Sequence, residues 1–342
     1  MRHDLKDATV VITGASAGVG RATARRFARQ GARVCLIARD SDGLRDAEAE
    51  VKAIGGRALA IPADVADADA VFAAADECER QLGPIEVWVN NAMNTVFSPV
   101  AELRPEEVRR VTEVTYLGYV HGTLAALRHM RARDRGVIVQ VGSALAYRSI
   151  PLQAPYCAAK AAIRGFTDSL RCELLRERSG IAITAVHLPA VNTPQFDWAR
   201  THMGHEPRPV PPVYTASVAA RAITHAASYP EREYWLGWMT PILILASMLI
   251  PGMLDRHLAD SAWRGQATNR PAEPDRRDNL ASPVDGLHRT DGSFGAESAN
   301  TSMLISPRLA RTAAVVGTCL VTGIAGAAIG RMLSGRTGSG PG

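Results

Sequence analysis

Short β-branched runs alternate with longer amphipathic segments from residue 9 to residue 188, and no other feature limits the fold as tightly. The runs cover 9–13, 33–38, 58–61, 85–90, 137–141 and 181–187, and the segments between them cover 20–30, 41–54, 66–82, 105–132 and 155–178. Several runs are apolar at nearly every position, as parallel strands buried on both faces must be. The alternation predicts an α/β fold, an open, doubly wound parallel sheet with helices on both faces. A helix at 216–228 and a last strand at 233–237 extend the pattern. In such sheets ligands bind outside the carboxyl ends of the strands, so chemistry is to be sought there.

Composition narrows the classes of function. Hydrophobic residues make up 46% and charged residues 21% of the 342, enough to build a large core. The net charge of +5 comes without a concentrated basic block, which argues against nucleic acid as a partner. Cys35, Cys78, Cys157, Cys172 and Cys319 are scattered, with no C-x-x-C pair and no histidine cluster. Neither a disulfide framework nor a metal site is expected, and a reducing compartment fits. The polar stretch 1–7 runs straight into a strand, so no signal peptide is expected and the catalytic body is read as cytoplasmic.

Gly14-Ala-Ser-Ala-Gly18-Val-Gly20 follows the first strand and opens a helix. Glycines at such a turn let the backbone bend sharply and approach a pyrophosphate, which sits against the N–H groups of the helix N-terminus, here near Val19. The spacing is G-x-x-x-G-x-G rather than G-x-G-x-x-G; tight packing alone is the other reading of a glycine-rich turn. Nineteen residues beyond Gly20, where an acid would bind a ribose 2′-hydroxyl, stands Arg39. Its guanidinium suits a 2′-phosphate, to which Ser16 could add a hydroxyl, so NADP(H) is the favoured cofactor. The alternative is a solvated arginine in an arginine-rich chain, and Asp40 beside it bears the opposite charge. Asp64 and Val65 follow the third run, and Asn90, Asn91, Ala92 and Met93 follow the fourth. Asp64 can accept from an adenine amino group and Asn90 can brace the turn, with helix-cap or turn roles as alternatives.

Ser143 ends the fifth strand, and Tyr156 and Lys160 lie at i and i+4 of the next helix, on one face. A free phenol titrates at about 10, and a neighbouring ammonium would lower that toward neutrality. Ser143 would hold the substrate oxygen for Tyr156. Only three of the 39 basic residues are lysines, so a lysine at 160 is more informative than its motif alone. A compact ammonium suits this task better than a guanidinium.

These residues together resemble the short-chain dehydrogenase/reductase family: Thr13-Gly14-x-x-x-Gly18-x-Gly20, Asp64, Asn90-Asn91-Ala92, Ser143, Tyr156-x-x-x-Lys160 and Pro189-x-x-x-Thr193 stand in the family's order and spacing over about residues 5–240. The resemblance implies a Rossmann fold and hydride transfer between NADP(H) and a carbonyl or alcohol. It implies Tyr156 as general acid/base, Lys160 on the nicotinamide ribose, Ser143 orienting the substrate, and Pro189 and Thr193 beside the carboxamide. The long helices resemble those through which family members form homo-oligomers. Three positions depart from the pattern. Thr115 stands where the family has the asparagine of a proton-relay water, Met93 replaces the last glycine of N-N-A-G, and Ala190 replaces the glycine after the proline. A weakly active NADP-binding scaffold or redox sensor is the competing function; an isomerase would need further acid–base groups.

The sequence divides into a catalytic domain at 1–240, an apolar helical segment at 241–262, a polar linker with little core of its own at 263–307, and an Ala/Gly-rich helix at 308–334. The uncharged stretch 238–254, interrupted by Pro241 and Pro251, is expected to cover the substrate cleft or lie at an interface. Residues 312–330 carry no charge, and at about 1.5 Å per residue they approach the ~30 Å core of a bilayer. A membrane anchor and a partner-packed Ala/Gly tail are the two readings. Leu145, Ile150, Phe196 and Trp198 are expected to rim the cleft, which suggests a hydrophobic small-molecule substrate.

Overall fold

The computed structural model of the protein describes residues 3–273 and 275–308. The chain divides into two units, Met1–Leu304 and Ile305–Gly342; the architecture below is that of the first. The candidate membrane segment 312–330, like most of the 308–334 helix, lies outside the described residues, among which no helix is long and apolar enough to cross a membrane.

The strand-like runs form β1 (Thr9–Thr13), β2 (Arg33–Ala38), β3 (Arg57–Pro62), β4 (Ile85–Asn90), β5 (Gly136–Ser143), β6 (Ile181–Leu188) and β7 (Glu233–Leu236). They lie side by side in the order β3-β2-β1-β4-β5-β6-β7, with every pairing parallel. The longest register runs from Gly136 opposite Ile181 to Ser143 opposite Leu188. The helices are α1 (Gly18–Arg29), α2 (Ser41–Ala53), α3 (Ala68–Leu82), α4 (Pro105–Thr112), α5 (Gly118–Met130), α6 (Ala154–Glu177), α7 (Ala216–Ser228), α8 (Met239–Leu249) and α9 (Pro251–Gly265).

Successive strand residues face opposite layers, which is why the runs are apolar throughout. Val10, Ile12, Val34 and Leu36 pack with Phe27 of α1, Leu44 and Val51 of α2 and Ile223 of α7. Val11, Cys35, Ile37, Trp88 and Ile138 pack on the other side with Val71 and Cys78 of α3, Met130 of α5 and Leu170 of α6. The expected doubly wound parallel sheet is therefore present. Its strand order reverses at β1, flanked by β2 and β4, and the crevice at the carboxyl ends of these strands is where the switch-point rule places a ligand.

The structure differs from the sequence reading in three places. The single helix expected at 105–132 is broken by a π-helical turn at Glu113–Leu117. There Thr115 Oγ1 donates to Asn94 O (2.9 Å) and accepts from Asn94 N (3.1 Å), a buried tie to the strand-end loop that comes with the local rewinding. The uncharged stretch 238–254 is two helices, because Pro251 is the first residue of α9 and α8 ends before it. The third is the supposed linker. Within 263–307, Ala267–Pro271 pairs antiparallel with His205–Pro207, Leu280 is buried against Val96 and Val111, and residues 275–294 lie along the strand ends. Backbone carbonyls and ionic side chains do most of the holding there, which is why a hydrophobicity pattern did not show it.

Candidate active site

A cavity of about 560 Å³ opens along the carboxyl ends of β1, β4, β5 and β6. Every cofactor and catalytic position named from the sequence lines it except Gly20 and Thr115. Gly14 and Gly18 have φ of +66° and +56°, left-handed conformations that glycine adopts without strain. Gly20 has a packing role, since a Cβ there would fall 2.1 Å from Gly14 O. Asn91 clamps the turn, donating through Nδ2 to Thr13 O (3.0 Å) and Gly14 O (3.2 Å). Ala17, the residue capping α1, offers no side-chain acceptor, so the first-turn amides of that helix are left for other partners. A bent turn, helix amides and a channel leading to Tyr156 fit a dinucleotide's diphosphate and nicotinamide.

At the other end stand Ser143, Tyr156 and Lys160. Ser143 Oγ accepts from Leu145 N (3.1 Å), which leaves its own proton free to donate, and it is a hydrogen-bond partner of the Tyr156 phenol. Lys160 is buried on α6. Its Nζ donates to Tyr119 Oη (2.9 Å) and to Val141 O (2.8 Å) and lies 5.6 Å from the centre of the Tyr156 ring. Burial draws the Lys160 ammonium down to about 7. Burial also pushes Tyr156 well above the ordinary phenol value, against the opposing hydrogen bond from Ser143. The sequence reading expected the reverse for Tyr156; in a site this enclosed, desolvation outweighs the attraction of an ammonium that is itself disfavoured.

Tyr119 was missed by the sequence reading. It sits on α5, and its hydroxyl, which donates to Val141 O (2.9 Å), shares with that carbonyl the task of holding Lys160. Nothing marks it in the sequence, because a lone tyrosine on a helix is usually core. Thr115, named for a relay to Lys160, instead turns its hydroxyl to Asn94. Behind Ser143 a second polar cluster is buried: Ser143 O meets His187 Nδ1 (3.1 Å), and His187 Nε2 lies 3.1 Å from Glu233. Asn90 is a scaffold residue, its amide spanning Thr123 (3.1 Å) and Gln140 (2.9 Å).

The adenosine-side positions are already engaged. Asp64, expected at an adenine, accepts from Ala66 N (3.0 Å) and pairs with Arg110. Arg39, expected at a 2′-phosphate, donates to the carbonyl oxygens of Asn279, Leu280 and Ala281. Asp40 caps α2 through Gly43 N (2.6 Å) and also binds His288 Nε2 (2.6 Å). The remaining wall is apolar. Leu145, Ile150, Phe196 and Trp198 line it as expected, joined by Met239 and Leu243 of α8 and Leu258 of α9.

Comparison with known proteins agrees with this geometry. The short chain dehydrogenase family model matches residues 8–204. An uncharacterized oxidoreductase of Bacillus subtilis, YxnA, is 32% identical over 286 residues, covering 83% of this chain and 80% of that protein. The 3beta-hydroxysteroid dehydrogenase 1 of Eggerthella lenta is 37% identical over 196 residues, 57% of this chain and 74% of its own length. A fatty acyl-CoA reductase of Acinetobacter baylyi is 31% identical over 197 residues, 57% of this chain and 66% of its own.

Proposed function

The chain belongs to the short-chain dehydrogenase/reductase family, whose members are nicotinamide-dependent oxidoreductases, and from that premise we propose that it is an NADP(H)-dependent enzyme reducing a carbonyl of a hydrophobic substrate to the alcohol. One observation carries the reading: a single cavity joins the glycine turn at one end to Ser143, Tyr156 and Lys160 at the other.

Bound, the reduced nicotinamide supplies the hydride. The chain's own residues do the rest. The turn at Gly14–Gly18 and the first amides of α1, Val19 among them, would hold the diphosphate, and Pro189 and Thr193 would flank the carboxamide. Arg39 and Ser16 are the charged and polar groups suited to a 2′-phosphate. Lys160, fixed by Tyr119 and Val141, would donate to the ribose hydroxyls. The Ser143 hydroxyl donates to the substrate oxygen. Tyr156, kept protonated by burial, gives its proton to that oxygen as the carbonyl is reduced. A phenol that resists ionisation suits the reducing direction, since the acid is present in its active form at neutral pH.

The apolar wall supports a lipid-like substrate, as do the steroid and fatty acyl names of two relatives. A panel of steroid, long-chain and aromatic ketones with NADPH tests this through the loss of the reduced nicotinamide's near-ultraviolet absorbance. Turnover on hydrophobic ketones that Tyr156→Phe abolishes is the expected result; tight NADPH binding with no turnover on any ketone would leave only a nucleotide-binding scaffold.

A further inference from the structure

Residues 275–294 cross the adenosine end of the cleft and take the groups a dinucleotide would need there. We propose that this strap is a displaceable plug: its backbone carbonyls stand in for phosphate oxygens, and nucleotide binding requires its release. The inference rests on the nucleotide-site reading given above.

Arg39 and Gly18 of the nucleotide site carry it, together with two arginines beside that site. Arg39 spends its guanidinium on three successive carbonyls, those of Asn279, Leu280 and Ala281. Arg21 Nη1 donates to His288 O, and Arg110 Nε donates to Leu280 O (3.2 Å). Gly18 N, a first-turn amide of α1 with no acceptor inside its own helix, donates to Arg289 O (2.9 Å). The strap backbone also presses on the far side of the turn, since a Cβ on Gly292 would fall 2.4 Å from Thr193 O. One N–H cannot serve a peptide carbonyl and a diphosphate oxygen together, and one guanidinium face cannot serve a chain of carbonyls and a 2′-phosphate.

The competition is winnable. A carbonyl offers a partial charge and a phosphate a full one, so the Gly18 amide gains a charge-assisted hydrogen bond and each guanidinium gains an ion pair on exchange. Beside these backbone contacts, three side-chain ties hold the strap: Asp278 to Arg200 (2.9 Å), His288 to Asp40 (2.6 Å), and Arg289 to Asp197 (2.9 Å). Each tie stabilises the closed cleft and so lowers the apparent nucleotide affinity by the fraction of molecules that are open. Affinity is thereby set by a segment outside the family match, which ends at residue 204.

The test uses the full chain, with limited trypsin digestion and NADPH titration by fluorescence. NADP⁺ is expected to speed cleavage after Arg276, Arg277 and Arg289. Combining Asp278→Asn with His288→Ala is expected to tighten NADPH binding about tenfold, as release of a plug closed about nine-tenths of the time requires. Protection of those arginines by NADP⁺ overturns the plug, because it makes the strap a cover over bound nucleotide. An unchanged or weaker affinity in the loosened chain overturns it as well, and if that variant misfolds the digestion of the unmodified chain decides. Failure of the underlying reading looks different: neither NADP(H) nor NAD(H) then binds or alters cleavage in either chain, and the plug falls with it.

Discussion

The two ends of the cleft are built differently. At the reaction end, Ser143 is the last residue of a buried strand, Lys160 is fixed by Tyr119 and Val141, and Tyr156 sits one turn away on the same helix. At the adenosine end, Arg39 and Asp40 lie on a strand-to-helix loop, and their partners come from a segment some 240 residues later in the chain. In the proposed function, rigid elements fix the chemistry, while loops and long side chains offer the nucleotide contacts. The same freedom that lets an arginine grip a phosphate lets a passing strand of carbonyls satisfy it.

That contrast can be broken by substitution at either end. The largest effect is expected at the reaction end: Tyr156→Phe should lower kcat by about 10³-fold, within the range for loss of a positioned acid, with NADPH affinity nearly unchanged. A large loss of NADPH binding instead would mean that the two ends are not separable. At the adenosine end the split runs the other way. Arg39→Ala should weaken NADPH about tenfold or more, the worth of a hydrogen bond to a charged group, while NADH binds no worse. Equal losses for both nucleotides would remove the 2′-phosphate role from Arg39.

Tyr119→Phe sharpens the comparison more finely. It deletes one of the two hydrogen bonds on Lys160, and kcat should fall about fivefold, equivalent to roughly 1 kcal/mol, with a shifted pH profile and unchanged KM for NADPH. A purely structural role would lower the melting temperature and leave the pH profile where it was. The last effect is on stability rather than on turnover. Burial brings the Lys160 ammonium down to about 7 in the fold from the ordinary 10.5 it has when unfolded, so between these values the unfolded chain holds more protons. Stability of the nucleotide-free protein should therefore rise with pH from about 7 until the buried phenols, reluctant to ionise, oppose it above 10. Lys160→Met should flatten that rise in chemical denaturation across the window.

How much of this could be read from the sequence follows from which interactions leave a pattern. A strand buried on both faces must be apolar throughout, so Thr9–Thr13, Arg33–Ala38 and Ile85–Asn90 were placed to the residue. The helix Ala216–Ser228 was equally plain. The cleft residues were legible because glycine turns and a Tyr/Lys pair at i, i+4 carry chemistry in their spacing. The π-turn at Glu113–Leu117 was not, because it comes with one threonine hydroxyl reaching a loop distant in sequence. The strap was hidden for a deeper reason. Its grip on Arg39, Arg21 and Gly18 is made by backbone carbonyls, which every residue possesses, so its composition looked like that of a linker.

Whether this cleft transfers a hydride to a carbonyl with Tyr156 supplying the proton is decided by isotope transfer. NADPH deuterated at the transferring carbon is incubated with the protein and a hydrophobic ketone, and the alcohol is analysed by mass spectrometry. Deuterium is expected on the new carbinol carbon from one face of the nicotinamide only, formed about 10³-fold more slowly by Tyr156→Phe. Alcohol without deuterium, or labelling at an equal rate by the Tyr156→Phe chain, would contradict the proposed function.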